Sequence, residues 1–206
     1  MPQTRTRRAD QTTFSRPFPA AVVYDLSTPD QATIRVPAGS SWTSGPHWHD
    51  AHTEFLQVLA GRARVTLGDR EFCVGPDGGV ITVPRGVVHE WRRADGEGEE
   101  ENGEEELVVR EWTEPKDGAK EVFFRNLNGL ILDATAGEGK GKEMSAWGEA
   151  VLTLELWNLF WRADNYPVVA GPGLVGGVAT RVVMGAAVAL GWVLGCRGVY
   201  EEYSSK

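Results

Sequence analysis

Cysteine, basic charge and a leader-like apolar start are all scarce in this chain, and each scarcity narrows the reading. Two cysteines, Cys73 and Cys196, cannot build a disulfide framework. Cys73 falls in a β-rich run and is expected to be a buried small hydrophobe. No apolar run follows Met1, which argues against secretion and predicts an intracellular protein, cytoplasmic or membrane-associated. Lysine and arginine number 21 against 29 aspartate and glutamate. With no basic patch and no helix-turn-helix pattern, nucleic acid is not an expected partner. The formal net charge of -8 equals the eight acidic residues packed between Asp95 and Glu106, so the rest of the chain is close to neutral. Such a like-charged, glycine-containing run repels itself and has nothing apolar to bury, which predicts a disordered loop at 95–106 inserted between two strands.

Histidine is scarce too, but its four copies are concentrated: His47, His49 and His52, then His89. Imidazole is the commonest side-chain metal ligand, and Glu54 adds a carboxylate, giving a mixed N/O set suited to a divalent first-row metal. His47 and His49 are two apart, so on a strand both rings point to one face. Glu54 is five beyond His49 and breaks that parity, which requires a turn or bulge across Asp50 to Thr53. Glu54 to Gly61 then reads as a half-buried strand, and Arg62 to Asp69 as its hairpin partner. His89 follows another strand and a Pro84-Arg-Gly86 turn. His52 falls in the turn and is expected at the rim of the site or behind it.

At these residues the chain resembles the cupin superfamily. The first cupin motif, G-x5-H-x-H-x3-4-E-x6-G, is matched by His47, His49, Glu54 and Gly61, with Ser41 in place of the opening glycine. The second, G-x5-P-x-G-x2-H-x3-N, is matched by Gly78, Pro84, Gly86 and His89, with Arg93 in place of the closing asparagine. The resemblance implies a mainly β fold, a single small antiparallel jelly-roll barrel. It also implies one divalent transition metal (Fe, Mn, Ni, Cu or Zn) held by His47, His49, Glu54 and His89.

Along the chain, residues 1–17 carry four arginines among threonine, glutamine and serine and are expected to be a disordered tail. Residues 18–115 are expected to form the barrel, opening with strands at Ala21 to Leu26 and Ala32 to Pro37 and closing with Leu107 to Thr113. Alternation points Trp48 away from the metal; Trp91 shares the parity of His89 and is either an aromatic wall for a substrate or ordinary packing. Residues 116–166 form a helical extension: Phe123, Phe124, Leu127 and Ile131 share one helix face, a Gly/Lys linker covers Ala136 to Glu143, and Ser145 caps a second helix reaching Arg162. Residues 167–206 are an apolar, Gly/Ala-rich tail. Its stretch 175–196 is long enough to cross a ~30 Å hydrocarbon core. Small residues recur at four-residue spacing in Gly173 and Gly177 and in Ala187, Gly191 and Gly195, as in helix contacts. Membrane association through 175–196, a buried helical hairpin and a homodimer contact all fit this composition.

The resemblance extends to cupin-domain proteins of filamentous fungi, some of them associated with secondary metabolism, through Phe123 to Leu127, Asp164 to Pro167 and the apolar tail. It implies a metal-dependent oxidoreductase or dioxygenase acting on a small aromatic or polyketide-like molecule, with Glu54 able to detach and act as a base. Metal-assisted isomerisation, cyclisation or decarboxylation is the alternative chemistry, and a non-catalytic small-molecule-binding barrel the alternative class. Arg62, Arg64 and Arg85 would bind a substrate carboxylate if they faced inward.

Overall fold

The computed structural model describes residues 5–94, 105–136, 144–171 and 173–204. It divides into two compact units, Thr12–Glu121 and Met1–Gln11 with Val122–Lys206. Most of the acidic run and most of the Gly/Lys linker lie outside the described residues.

The first unit is mainly β, a jelly-roll barrel of two antiparallel sheets. Its strands are β1 (Thr13–Arg16), β2 (Val22–Asp25), β3 (Gln31–Val36), β4 (His47–Trp48), β5 (Thr53–Ala60), β6 (Ala63–Leu67), β7 (Arg70–Val74), β8 (Val80–Val83), β9 (His89–Arg93) and β10 (Leu107–Glu114). One sheet runs β1-β2-β3-β10-β5-β8 and the other β4-β9-β6-β7. Period-two alternation makes the interior. Ala32, Ile34 and Val36 of β3, Leu56 and Val58 of β5, and Leu107 and Val109 of β10 are all buried, as expected for strands with one face on a core.

Three sequence expectations change here. Thr13–Arg16, assigned to a disordered tail, pairs with β2 from Thr13↔Asp25 to Arg16↔Val22, because Phe14 has a core to enter and is fully buried. β5 and β6 are not a hairpin: β5 pairs with β10 and β8, and β6 with β7 and β9. The chain crosses between sheets at Gly61, whose φ is +70°, and a Cβ there would lie 2.7 Å from the carbonyl oxygen of Glu106, so only glycine fits. Cys73 is exposed; it lies opposite Arg64 in the β6–β7 ladder, on the outward face.

The second unit is helical. Helices α1 (Ala119–Ala136), α2 (Ala146–Arg162) and α3 (Gly173–Leu194) account for most of it, α1 beginning within the barrel unit. The Ser145 side chain accepts from Gly148 N–H and caps α2, satisfying a donor left open by helix geometry. The apolar tail is one continuous helix rather than a hairpin. Its small residues serve contact with α2: Asn158 Nδ2 donates to the Ala187 carbonyl at 3.3 Å, and a Cβ on Gly191 would lie 2.3 Å from that same nitrogen. Residues 5–11 strap this unit. Arg8 pairs with Asp133 at 2.6 Å, and Arg5 pairs with Glu155 at 3.1 Å while stacking over Tyr200.

Candidate metal centre

Two of the four candidate ligands meet because their strands pair. His47 and His89 are direct partners across β4 and β9, with ring centroids 4.2 Å apart. His49 lies just past β4, and its carbonyl accepts a 2.7 Å bond from Gly86 N–H. Gly86 has a φ of +75°, so the Pro84-Arg-Gly86 turn holds both the backbone of His49 and the approach to His89. Glu54 comes from the opposite sheet. On β5 it shares the inward parity of Leu56 and Val58, and it is 1% exposed. The ligand atoms of His47, His49, Glu54 and His89 lie within 4.8 Å of one another, and all four residues are buried.

The hydrogen bonds orient the rings. His47 Nδ1–H donates to the Gly45 carbonyl at 2.7 Å, and His89 Nδ1–H to the Val87 carbonyl at 3.1 Å. Such bonds select the tautomer whose Nε2 lone pair faces the centre. His89 Nε2 then lies 3.1 Å from Glu54 Oε1, and His49 Nε2 lies 3.1 Å from Glu54 Oε2. A lone pair facing a carboxylate oxygen is repulsive unless a proton or a metal ion stands between them. Two donors about 2.1 Å from one ion at right angles are about 3 Å apart, so the His89 Nε2–Glu54 Oε1 separation fits a shared metal.

The electrostatics agree. Burial, then the charges of His89 and His49, hold His47 well below the ordinary histidine range, which keeps it neutral. For His89, burial is the largest influence and lowers it, but the Glu54 charge and hydrogen bond outweigh burial and raise it. Burial likewise opposes charge on Glu54, yet Lys120, His89 and two hydrogen bonds hold it well below the carboxylate range. With Glu54 held charged and His47 neutral, a divalent ion would take the place of a proton at the His89–Glu54 contact.

Three groups that motif spacing did not point to complete the interior. Lys120, in the first turn of α1, donates to Glu54 Oε2 at 2.5 Å and to Glu111 Oε1. Glu111 shares the inward parity of Leu107 and Val109 on β10, a signal present in the sequence; nothing in the sequence marks Lys120. Arg93, seen only as a departure from the motif's asparagine, is buried and donates to the Glu105 carbonyl.

Other candidates fall outside. His52 contacts Asp117 at 3.1 Å and is not among the four converging residues, as expected from its place in the turn. Arg62 and Arg85 are exposed, and Arg64 pairs with Glu71 on the outer face at 2.9 Å, so none faces the site. Trp91 does point inward with His89, but at 1% exposure and 4.8 Å from Trp42 it is packing. Trp48 is turned aside, its Nε1–H donating to Asp50.

Residues 32–108 match the model of the cupin domain, a span containing both histidine motifs. The oxidoreductase OpS7 of Beauveria bassiana is 29% identical over 43% of this chain and 32% of its own length; the chain thus spans about a third of that relative. Among solved structures, KdgF from Halomonas sp. is 19% identical, covering 50% of this chain and 87% of its own, with a TM-score of 0.36. A predicted oxalate decarboxylase from Thermotoga maritima is 15% identical, covering 53% and 89%, with a TM-score of 0.37.

Proposed function

We propose that this chain, whose barrel carries a cupin domain over residues 32–108, is a metal-dependent oxidoreductase. Its substrate in this reading is a small aromatic or polyketide-like metabolite and its chemistry of dioxygenase type. The observation that carries the metal reading is the convergence of the ligand atoms of His47, His49, Glu54 and His89 within 4.8 Å of one another, all four residues being buried. The name of the Beauveria bassiana relative supports the oxidative reading.

A divalent Fe, Mn, Ni or Cu ion would supply Lewis-acid polarisation of a substrate oxygen and a site where dioxygen could bind; Zn would supply the polarisation without redox chemistry. The chain's own residues prepare the site. The Gly45 and Val87 carbonyls hold two imidazoles in the ligating tautomer. Lys120 keeps Glu54 charged and fixed. Trp91, two residues along β9 from His89, is buried against Trp42.

The test is elemental content and metal-centred spectra of protein purified without added metal, alongside a His47→Ala/His89→Ala variant. Near-stoichiometric Fe, Mn, Ni or Cu that is absent from the variant supports the redox reading and directs a substrate screen under oxygen. Zn shifts the chemistry to isomerisation, cyclisation or decarboxylation. A folded wild type that takes up no metal on reloading leaves a non-catalytic binding barrel.

For the tail, we propose that α3 associates with a membrane. Twenty-two residues at about 1.5 Å each match a hydrocarbon core of about 30 Å. The helix buries a narrow stripe, Gly176, Thr180, Met184, Ala187 and Gly191. It exposes Leu174, Val175, Val182, Val193 and Trp192, the last at 85%. Flotation of the full chain with phosphatidylcholine vesicles tests this, against a Val175→Glu/Val182→Glu variant. Wild type that stays with the aqueous fraction as a dimer, and a monomeric variant, would instead make this face a homodimer contact.

A further inference from the structure

Behind Glu54 stands a buried ion triad. The Lys120 ammonium, 8% exposed, lies between two inward carboxylates on adjacent strands, bonding Glu54 Oε2 at 2.5 Å and Glu111 Oε1. In the β5–β10 register Glu54 faces Thr113 and Glu111 faces Leu56, so the acids are diagonal neighbours on one face of the sheet. Buried charges persist only where they are paired and hydrogen-bonded. Three of them together, each less than a tenth exposed, call for a use.

The geometry of Glu54 indicates that use. Its Oε1 faces His89 and its Oε2 faces both His49 and Lys120. An oxygen that accepts from an ammonium has less electron density to give a metal, and the side chain cannot rotate without breaking that bond. Resting on the metal-centre reading, we propose that Lys120 is a positioning residue that locks Glu54 as a one-oxygen ligand through Oε1, and that Glu111 offsets the ammonium so that the site stays attractive to a dication. Within the triad, two carboxylates against one ammonium leave one net negative charge. Without Glu111, the ammonium would cancel Glu54 and repel the ion. The lock also removes Glu54 from general-base duty: a carboxylate tethered on one oxygen and ligating through the other does not swing out to take a proton.

The test uses the full chain, stripped by chelator and titrated with Co²⁺, reading the d–d absorption for coordination and chelator competition for affinity. Lys120→Met/Glu111→Gln removes one charge of each sign, so the net charge is kept and only the tether is lost. It is expected to weaken Co²⁺ binding by about tenfold or more and to change the d–d bands as Glu54 becomes free to chelate through both oxygens. Glu111→Gln alone is expected to weaken binding comparably with the bands unchanged, and Lys120→Arg to restore both readouts toward wild type. A double variant with wild-type bands and affinity overturns the proposal and leaves the metal centre standing. A folded wild type that takes up no Co²⁺ overturns both. Should the double variant fail to fold, Glu111→Gln decides, and wild-type affinity there overturns the proposal.

Discussion

His47 and His89 face each other across the β4–β9 ladder with their ring centroids 4.2 Å apart. Burial first, then the neighbouring His89 and His49, holds His47 well below the ordinary histidine range, since two imidazoles this buried and this close are not both cationic. What the pair can share is one metal ion, through the Nε2 atoms that their Nδ1 hydrogen bonds leave free.

Each of His47→Ala, His89→Ala and Glu54→Gln is therefore expected to abolish stoichiometric metal retention after dialysis, measured by elemental analysis. His52→Gln is expected to retain it, because His52 is occupied with Asp117. Metal loss in His52→Gln would enlarge the site beyond the four converging residues.

Lys120→Met by itself leaves two buried carboxylates without their shared cation. Breaking a buried pair by removing one partner costs about 3–5 kcal/mol, and denaturant unfolding of the barrel should show a loss of that size. Adding Glu111→Leu should recover part of it, since one of the two stranded charges is then gone. No recovery would mean that Glu111 is not part of the balance.

Asp133 predicts an acid limit for the helical unit. Burial works against its charge, but Thr6 N–H, the Tyr203 hydroxyl and Arg8 outweigh it and lower its pKa. A carboxyl whose folded value is depressed stabilises fully above its unfolded value, about 4, and loses that contribution as pH falls through the folded value. Stability followed by circular dichroism should therefore fall with pH below about 4, and Asp133→Asn should remove that slope while lowering stability at neutral pH. An unchanged slope in the variant would place the acid sensitivity elsewhere.

Two glycines of α3 should respond oppositely to alanine. At Gly185 an added methyl meets nothing within 4 Å, so Gly185→Ala should stabilise by about 0.5–1 kcal/mol through helix propensity. At Gly191 it would strike the Asn158 amide and disturb the bond to the Ala187 carbonyl, so Gly191→Ala should lower the melting temperature. Equal effects would show that α2 and α3 do not pack through Asn158.

The four converging residues were legible because a metal-binding pattern fixes both residue type and interval: two histidines at strand parity, a glutamate beyond a turn and a histidine after Pro-x-Gly can be counted along the chain. Strand existence was legible for the same reason, as alternation in Ala32, Ile34 and Val36 shows. Pairing was not. Arg62 to Asp69 follows Glu54 to Gly61 so closely that a hairpin is the local expectation, yet Gly61 turns the chain into the other sheet, a choice made by the whole barrel. Cys73 was misplaced because a strand's periodicity does not say which parity is inward until the partner strand is known. Lys120 was out of reach altogether, since its role depends on where α1 starts in space, whereas Glu111 could have been found by carrying the parity of Leu107 and Val109 two residues further.

Glu54 belongs to one sheet and the three histidines stand on or beside strands of the other. An ion bound by all four would thus be a clasp across the barrel, joining the sheet of β5 to the sheet of β4 and β9. Ligand binding to the folded state alone adds about 2.7 kcal/mol of stability at a hundredfold excess over its dissociation constant. The melting temperature of the barrel would then serve as a gauge of metal supply, and a cell short of that metal would hold the chain in a looser, protease-sensitive form before any question of turnover arose.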